Sequence, residues 1–253
     1  TKEEIEARDW GDDPTRVDYG LLYQHRLDLL RLACERGWDR DYADVQAFAK
    51  ENEDWLEDYA LFMAIKRHFG MAAWYDWPDE EARLHRQVAL ERYGRELDRD
   101  IRLFTYVQYL FYRQWMELRR YANDRGIGIF GDMPIYVALD SADVWAHPEN
   151  YQLDERNNPT RVAGVPPDYF SADGQMWGNP LYDWDYLEET DYEWWFERIK
   201  AASKLFDITR IDHFRAFASY YSIPYPAENA INGEWIIGPR IKFFRMMEEE
   251  CGD

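Results

Sequence analysis

The sequence predicts an α/β protein, a partial (β/α)8 TIM barrel with a large helical insertion. Three observations predict it. Apolar residues recur at helical spacing as far as about residue 123. Two short apolar runs of the kind that make buried parallel strands follow, at Gly126–Gly131 and Leu205–Ile208. Between them lie a loop-rich excursion and a helix, giving a strand–helix–strand repeat of the parallel type. A complete barrel typically takes about 250 residues, and the chain has 253. Yet only two convincing barrel strands are present, both behind a long helical region. A complete barrel does not fit, and the chain is expected to be an internal fragment of a larger protein.

The elements follow in order. Val17–Arg36 carries Leu21, Leu22, Leu29, Leu30 and Leu32 and is expected to stop at Gly37, a C-terminal cap. Asp41–Lys50 reads as a shorter helix, and Trp55–Phe69 as another closed by Gly70. Pro78-Asp79-Glu80-Glu81 has the form of a helix first turn, proline near the start and acids at the positive end of the dipole. A long helix over about Glu96–Asn123 places Phe104, Val107, Leu110, Phe111, Trp115 and Leu118 on one broad apolar face, expected to be core. The character changes at Gly126, where the first strand leads into Asp132-Met133-Pro134-Ile135-Tyr136-Val137. Ala138–Asp185 is loop-rich, with Pro148, Pro159, Pro166, Pro167 and Pro180. A helix over Asp191–Lys204 returns to the second strand, starting at Leu205. Two regions are therefore expected, a mainly helical 1–125 and a partial-barrel segment 126–253.

Composition narrows the functional classes. Fifty acidic residues against thirty basic ones give a net charge of −20. Such a surface repels phosphate backbones and anionic membranes, so neither nucleic acid nor a membrane is expected as partner. The charge by itself signals solubility. Twelve Trp, 19 Tyr and 13 Phe suit a protein that stacks sugar rings on aromatic faces, although many must be core. Cys34 and Cys251 lie far apart, form no metal pattern and fit a reducing, cytoplasmic compartment. The five histidines lack metal-ligand spacing, so no metal or other cofactor is expected. No apolar run could span a membrane. No signal peptide is visible, in a chain that starts at Thr1.

The stretch Thr209–Arg215, TRIDHFR, carries the most chemistry. Arg210 and Asp212 would emerge from the second strand two residues apart, hence on one side. A guanidinium beside a carboxylate keeps it ionised. An ionised carboxylate at the C-terminal end of a barrel strand is what a retaining glycosidase needs as nucleophile. An isolated R-x-D in so acidic a chain is also consistent with a plain structural ion pair.

Three segments decide between these readings: Gly131–Val137 (GDMPIYV), Gly164–Pro180 (GVPPDYFS…GQMWGNP) and Thr209–Arg215. In order and content they closely resemble the amylomaltases, the 4-α-glucanotransferases of glycoside hydrolase family 77. Tyr106-Val107-Gln108, Gln114-Trp115, Tyr121-Ala122-Asn123, Asn232-Gly233-Glu234-Trp235 and Gly238-Pro239 extend the likeness along nearly the whole chain. The resemblance implies that Asp212 is the nucleophile and Arg210 its charge partner. It implies that Asp132, which could otherwise cap backbone amides, shapes the sugar site. Gly164–Ser171 would be a mobile loop over the site, with Asp168, Tyr169 and Phe170 touching substrate, although Pro166-Pro167 alone would make only a rigid turn. Gln175, Trp177 and Asn179 would contact sugar, although Trp177 could be core. His213 lines the site or bonds within the barrel rim and is given no catalytic role. The implied partners are α-1,4-glucans and maltooligosaccharides.

The departures from the family pattern are specific. The acid/base carboxyl is expected on the next barrel strand, beyond Asp253, and a third carboxylate later still. Glu234, in a loop motif, and Glu248-Glu249-Glu250, on an exposed helix, are not expected to replace them. Arg240 stands where the family often has glycine after Gly-Pro. The implied activity is retaining transfer of α-1,4-glucan segments, with this chain inactive alone. The alternatives are a glucan hydrolase of the α-amylase type and a non-catalytic glucan-binding fragment, separable by the products formed.

Overall fold

The computed structural model describes residues 1–252; Asp253, last residue of the predicted barrel segment, lies outside them. Helices come first: α1 (Lys2–Glu6), α2 (Tyr19–Glu51), α3 (Glu53–His68), α4 (Glu80–Arg83), α5 (Gln87–Glu96) and α6 (Asp98–Asn123). Then follow β1 (Phe130–Met133), α7 (Ala142–Ala146), β2 (Arg161–Val165), β3 (Gln175–Pro180), α8 (Trp184–Glu189) and α9 (Glu193–Leu205). Strands β4 (Ile208–Ile211), β5 (Ser219–Pro224) and β6 (Glu234–Ile237) and helix α10 (Arg240–Cys251) come last. The protein is thus of mixed α/β class. It divides into two compact units, neither of them a single stretch: Thr1–His68 with Glu91–Gln114, and Phe69–Leu90 with Trp115–Asp253.

In the first unit, α2 corrects the sequence reading. It runs 33 residues, straight through Gly37, so the two predicted helices are one. Its start is capped by the Asp18 carboxylate, which accepts from the Leu21 amide at 3.0 Å. Gly37 serves packing, since a Cβ there would overlap the Tyr106 hydroxyl. That hydroxyl donates to Asp41 at 2.7 Å, and Arg40 donates two further bonds of 2.7 Å to the same carboxylate. A mid-helix glycine costs about 1 kcal/mol against alanine, a loss offset here by a buried, charge-assisted hydrogen bond. Cys34, Val45, Leu103, Tyr106 and Tyr109 form one core cluster and Ala60, Ala64 and Phe104 another, with Leu27 packed against both. Helix α5 was not anticipated; Leu97 separates it from α6. The predicted apolar face of α6 is only partly core. Phe104 is buried, but Phe111 and Leu118 are 46% and 53% exposed. The buried residues of α6, Leu103, Phe104, Tyr106 and Tyr109, all lie in its N-terminal half, so its burial changes along the helix rather than around it.

In the second unit, β1 and β4 pair in parallel, with Asp132 opposite Arg210 and Met133 opposite Ile211. Both strands begin later than the apolar runs suggest. Leu205 is the last residue of α9, and Asp207 is spent on anchoring. Its carboxylate accepts from the Ile129 amide at 2.7 Å, Asn123 Nδ2 at 2.8 Å and the Arg119 guanidinium at 2.7 and 3.0 Å. Nor are the strands buried as expected. Phe130 and Ile208 are 62% and 59% exposed, each strand having one neighbour in a two-stranded sheet. Gly131 lets the Phe206 ring lie against β1, where a Cβ would overlap it.

The loop-rich stretch holds more structure than its prolines suggest. β2 and β3 pair antiparallel and join β5 and β6 in a sheet ordered β3-β2-β5-β6. Glu234, read as part of a loop motif, opens β6. Beside this sheet, the rings of Trp184, Trp195, Phe217 and Phe243 pack with centroids 4.8 to 6.2 Å apart. Much of the aromatic content is therefore core. Among the described residues, no helix is long and apolar enough to cross a membrane.

Candidate active site

The site lies at the C-terminal ends of β1 and β4. Because the strands run parallel and in register, Asp132 and Arg210 arrive side by side. The Asp212 amide donates to the Met133 carbonyl at 2.9 Å, which extends the pairing one residue past β4 and fixes the backbone there. Arg210 is shared unequally. Nε and Nη2 fork onto the Asp132 carboxylate at 2.9 and 2.6 Å, while Asp212 Oδ1 lies 3.6 Å from Nη2. The main partner of Arg210 is thus Asp132, with Asp212 second. The Asp132 hydrogen bonds, then its charge, and then that of Asp212 raise the Arg210 guanidinium above its ordinary value. All three side chains are open to solvent, at 52%, 55% and 64% for Asp132, Arg210 and Asp212.

His213 follows in a left-handed backbone conformation, φ +50°, and leads into a 3-10 turn at Phe214–Phe217. Its ring stands edge-on to Trp177, centroids 5.0 Å apart. Burial lowers the imidazole below its ordinary value; the Asp212 charge opposes this and Arg215 adds to it. Trp177 also packs 6.4 Å from Tyr136, and its indole N–H donates to Gln175 Oε1 at 3.1 Å. Trp177 stays 38% exposed and presents an aromatic surface rather than filling a core.

Asn179 is placed differently: its amide donates to the Val137 carbonyl at 2.8 Å. Asp168 accepts from the Phe170 and Ser171 amides at 2.8 and 2.9 Å and so shapes the β2–β3 loop. Tyr169 and Phe170, at the loop tip, are 98% and 91% exposed. Glu234 is bound by Arg161 at 2.6 Å, and Glu248, Glu249 and Glu250 are exposed on α10. The β1–β4 ends thus bring together Asp132, Arg210, Asp212, His213, Trp177 and Gln175. Tyr136, Tyr182 and Arg198 join them from outside the sequence reading. Tyr136 was within reach inside the GDMPIYV motif; Arg198, on a helix far from any motif, left no signal. Among the described residues, no group of three or more His, Cys, Asp or Glu is placed to hold a metal ion.

Fold and site together define a class: an α/β protein with an Asp–Arg–Asp cluster at the C-terminal ends of parallel strands, where barrel glycosidases carry their chemistry. The chain belongs to the 4-alpha-glucanotransferase family, glycoside hydrolase family 77, whose model matches residues 1–253. It is 45% identical to a 4-alpha-glucanotransferase of Streptococcus pneumoniae, over 99% of this chain and 50% of that protein. With the enzyme of that name from Clostridium butyricum the identity is 42%, over 100% and 52%. The structure of an amylomaltase from Streptococcus agalactiae in complex with acarbose superposes with a TM-score of 0.96 at 42% identity, covering 100% of this chain and 51% of that one. An amylomaltase from Corynebacterium glutamicum, at 20% identity and a TM-score of 0.71, shares the fold. The chain spans about half the length of the curated relatives it matches.

Proposed function

We propose that this chain forms the nucleophile-bearing part of a cytoplasmic 4-α-glucanotransferase. Strands β1 and β4 are read as neighbours in a (β/α)8 barrel, and the helices ahead of them as an insertion. The observation that carries the reading is the Asp132–Arg210–Asp212 chain at adjacent strand ends. Arg210, held by Asp132, keeps positive charge beside Asp212 and favours its ionised form. Asp212 then attacks the anomeric carbon of an α-1,4-glucan as the glycosidic bond breaks. A second carboxyl, about 5–5.5 Å away in retaining enzymes, protonates the departing oxygen. It is expected from a part of the protein outside these 253 residues. A hydroxyl of a second glucan gives its proton to that group and displaces Asp212, restoring the α-linkage. No cofactor takes part. Asp132, Gln175, Trp177 and His213 line the sugar site, and Asn179 braces it through Val137. Of the segment Gly164–Ser171, Gly164 and Val165 close strand β2, and the loop beyond them, bearing Asp168, Tyr169 and Phe170, acts as a lid that favours a glucan acceptor by excluding water.

Incubating the whole protein with maltotriose tests the reading. Transfer yields a ladder of shorter and longer maltooligosaccharides. Reducing sugar without longer products would contradict it. Asp212→Asn should lower transfer by more than about 10³-fold, as expected when a nucleophile is removed, while leaving glucan binding intact.

A further inference from the structure

Strand β1 ends at Met133, and in the segment that follows it the carbonyls of Pro134, Ile135 and Val137 each accept from a side chain. Arg198, on α9, donates through Nη2 to the Pro134 carbonyl at 2.5 Å and through Nη1 to the Ile135 carbonyl at 2.9 Å. The Tyr182 hydroxyl donates to the same Ile135 carbonyl at 2.7 Å, and accepts from Arg198 Nη1 at 3.0 Å. Asn179 holds the Val137 carbonyl. The guanidinium is itself fixed, packed 5.0 and 5.5 Å from the Trp195 and Trp194 rings. Tyr182 and Trp195 are almost wholly buried, so the clasp is preorganised rather than flexible. Helix α9, which bears Arg198, is joined to β4, which bears Arg210, by only Phe206 and Asp207.

We propose that Arg198, seconded by Tyr182, is a positioning residue that holds the turn after β1 and thereby keeps the Asp132 carboxylate in its fork with Arg210. This rests on the functional reading above. The chain of contacts is short: Arg198 to the Pro134 carbonyl, two residues along the backbone to Asp132, Asp132 to Arg210, and Arg210 to Asp212. Loss of the clasp frees the backbone two residues from Asp132. The fork then loosens, and Arg210 swings relative to the nucleophile. A lysine in place of Arg198 keeps the charge, but a single ammonium on a flexible stem does not reproduce the planar fork that reaches both carbonyls and the phenol.

The test is a double-mutant cycle in the whole protein, using maltotriose disproportionation, with Arg198→Lys, Asp132→Asn and the double variant. Arg198→Lys should lower kcat by about tenfold with little change in KM, within the range of about 10²-fold that a misplacement near 1 Å can cost. In the Asp132→Asn background, Arg198→Lys should cost almost nothing more, because it acts through Asp132. Tyr182→Phe, which deletes one hydroxyl and keeps the ring, should show the same dependence with a smaller loss. It carries the test if Arg198→Lys fails to fold. Asp41→Asn, in the other unit, is the control for mere destabilisation: it should lower Tm without lowering kcat at 25 °C. Full kcat in Arg198→Lys or in Tyr182→Phe, or losses that multiply with that of Asp132→Asn, would overturn the positioning role. An Asp132→Asn variant as active as wild type would instead overturn the functional reading of Asp132 itself.

Discussion

At the scale of single residues, the site works by division of one guanidinium between two carboxylates. Asp132 receives two short bonds and Asp212 a looser approach of 3.6 Å. On the proposed reading, the looser contact leaves the Asp212 carboxylate available to bond carbon, and the tighter one makes Asp132 a brace. The R-x-D spacing placed Arg210 and Asp212 together in advance. It could not reveal that Asp132, 78 residues earlier, takes the larger share, because parallel pairing leaves no local trace. Another residue-scale effect involves Arg240, which sits with φ +56° at the start of α10, a backbone region that disfavours side chains with a Cβ. The expectation of glycine there thus has a physical basis. Left-handed backbone costs a non-glycine residue roughly 1–2 kcal/mol, and glycine's larger unfolded-state entropy takes back part of that gain. Arg240→Gly should therefore stabilise the protein by about 1 kcal/mol, seen as a Tm rise of about 2–4 °C. A fall in Tm would show that the arginine side chain contributes more than its backbone strain costs.

At the scale of elements, Asp207 shows how β1 and β4 are registered. One carboxylate ties α6, the segment before β1 and the start of β4 through four hydrogen bonds. Asp207 also explains why the strands begin later than their apolar runs: Leu205 and Phe206 serve the helix end and the packing against Gly131. Apolar runs report burial, and burial here belongs to the helix–strand junction rather than to the ladder. Strands β2 and β3 were hidden by the prolines in and around them, since Pro159, Pro166, Pro167 and Pro180 make the whole stretch read as loop. The Ile129 amide, Asn123 and Arg119, in that order, lower the Asp207 carboxyl to about 2. Its folded value lies below the unfolded one of about 3.9. Its contribution is therefore present above about pH 4 and lost as pH falls towards 2. Asp207→Asn should lower stability at neutral pH and flatten the decline in stability between pH 4 and pH 2, measured by denaturant melts across that range. An unchanged slope would mean that Asp207 does not anchor the strands.

At the scale of the whole molecule, two facts govern function. The chain carries a net charge of −20, and it spans about half of its curated relatives. The charge disfavours anionic polymers as partners, and the proposed ligands, neutral glucans, suit an exposed aromatic face such as Trp177 beside carboxylates at strand ends. The family was readable from GDMPIYV, GVPPDYFS…GQMWGNP and TRIDHFR, because these segments bear the side chains that meet at the β1–β4 ends. The clasp at Arg198 was not readable, since it acts on backbone carbonyls that any sequence supplies. The central claim is that Asp212 forms a bond to sugar. A fluorinated α-glycosyl fluoride, which glycosylates such a nucleophile quickly and is released from it slowly, would trap that bond in the whole protein. Peptide mass mapping then locates the adduct. The mass increment should fall within Thr209–Arg215 on Asp212 and vanish in Asp212→Asn; an adduct on Asp132, or one that persists in the variant, would contradict it.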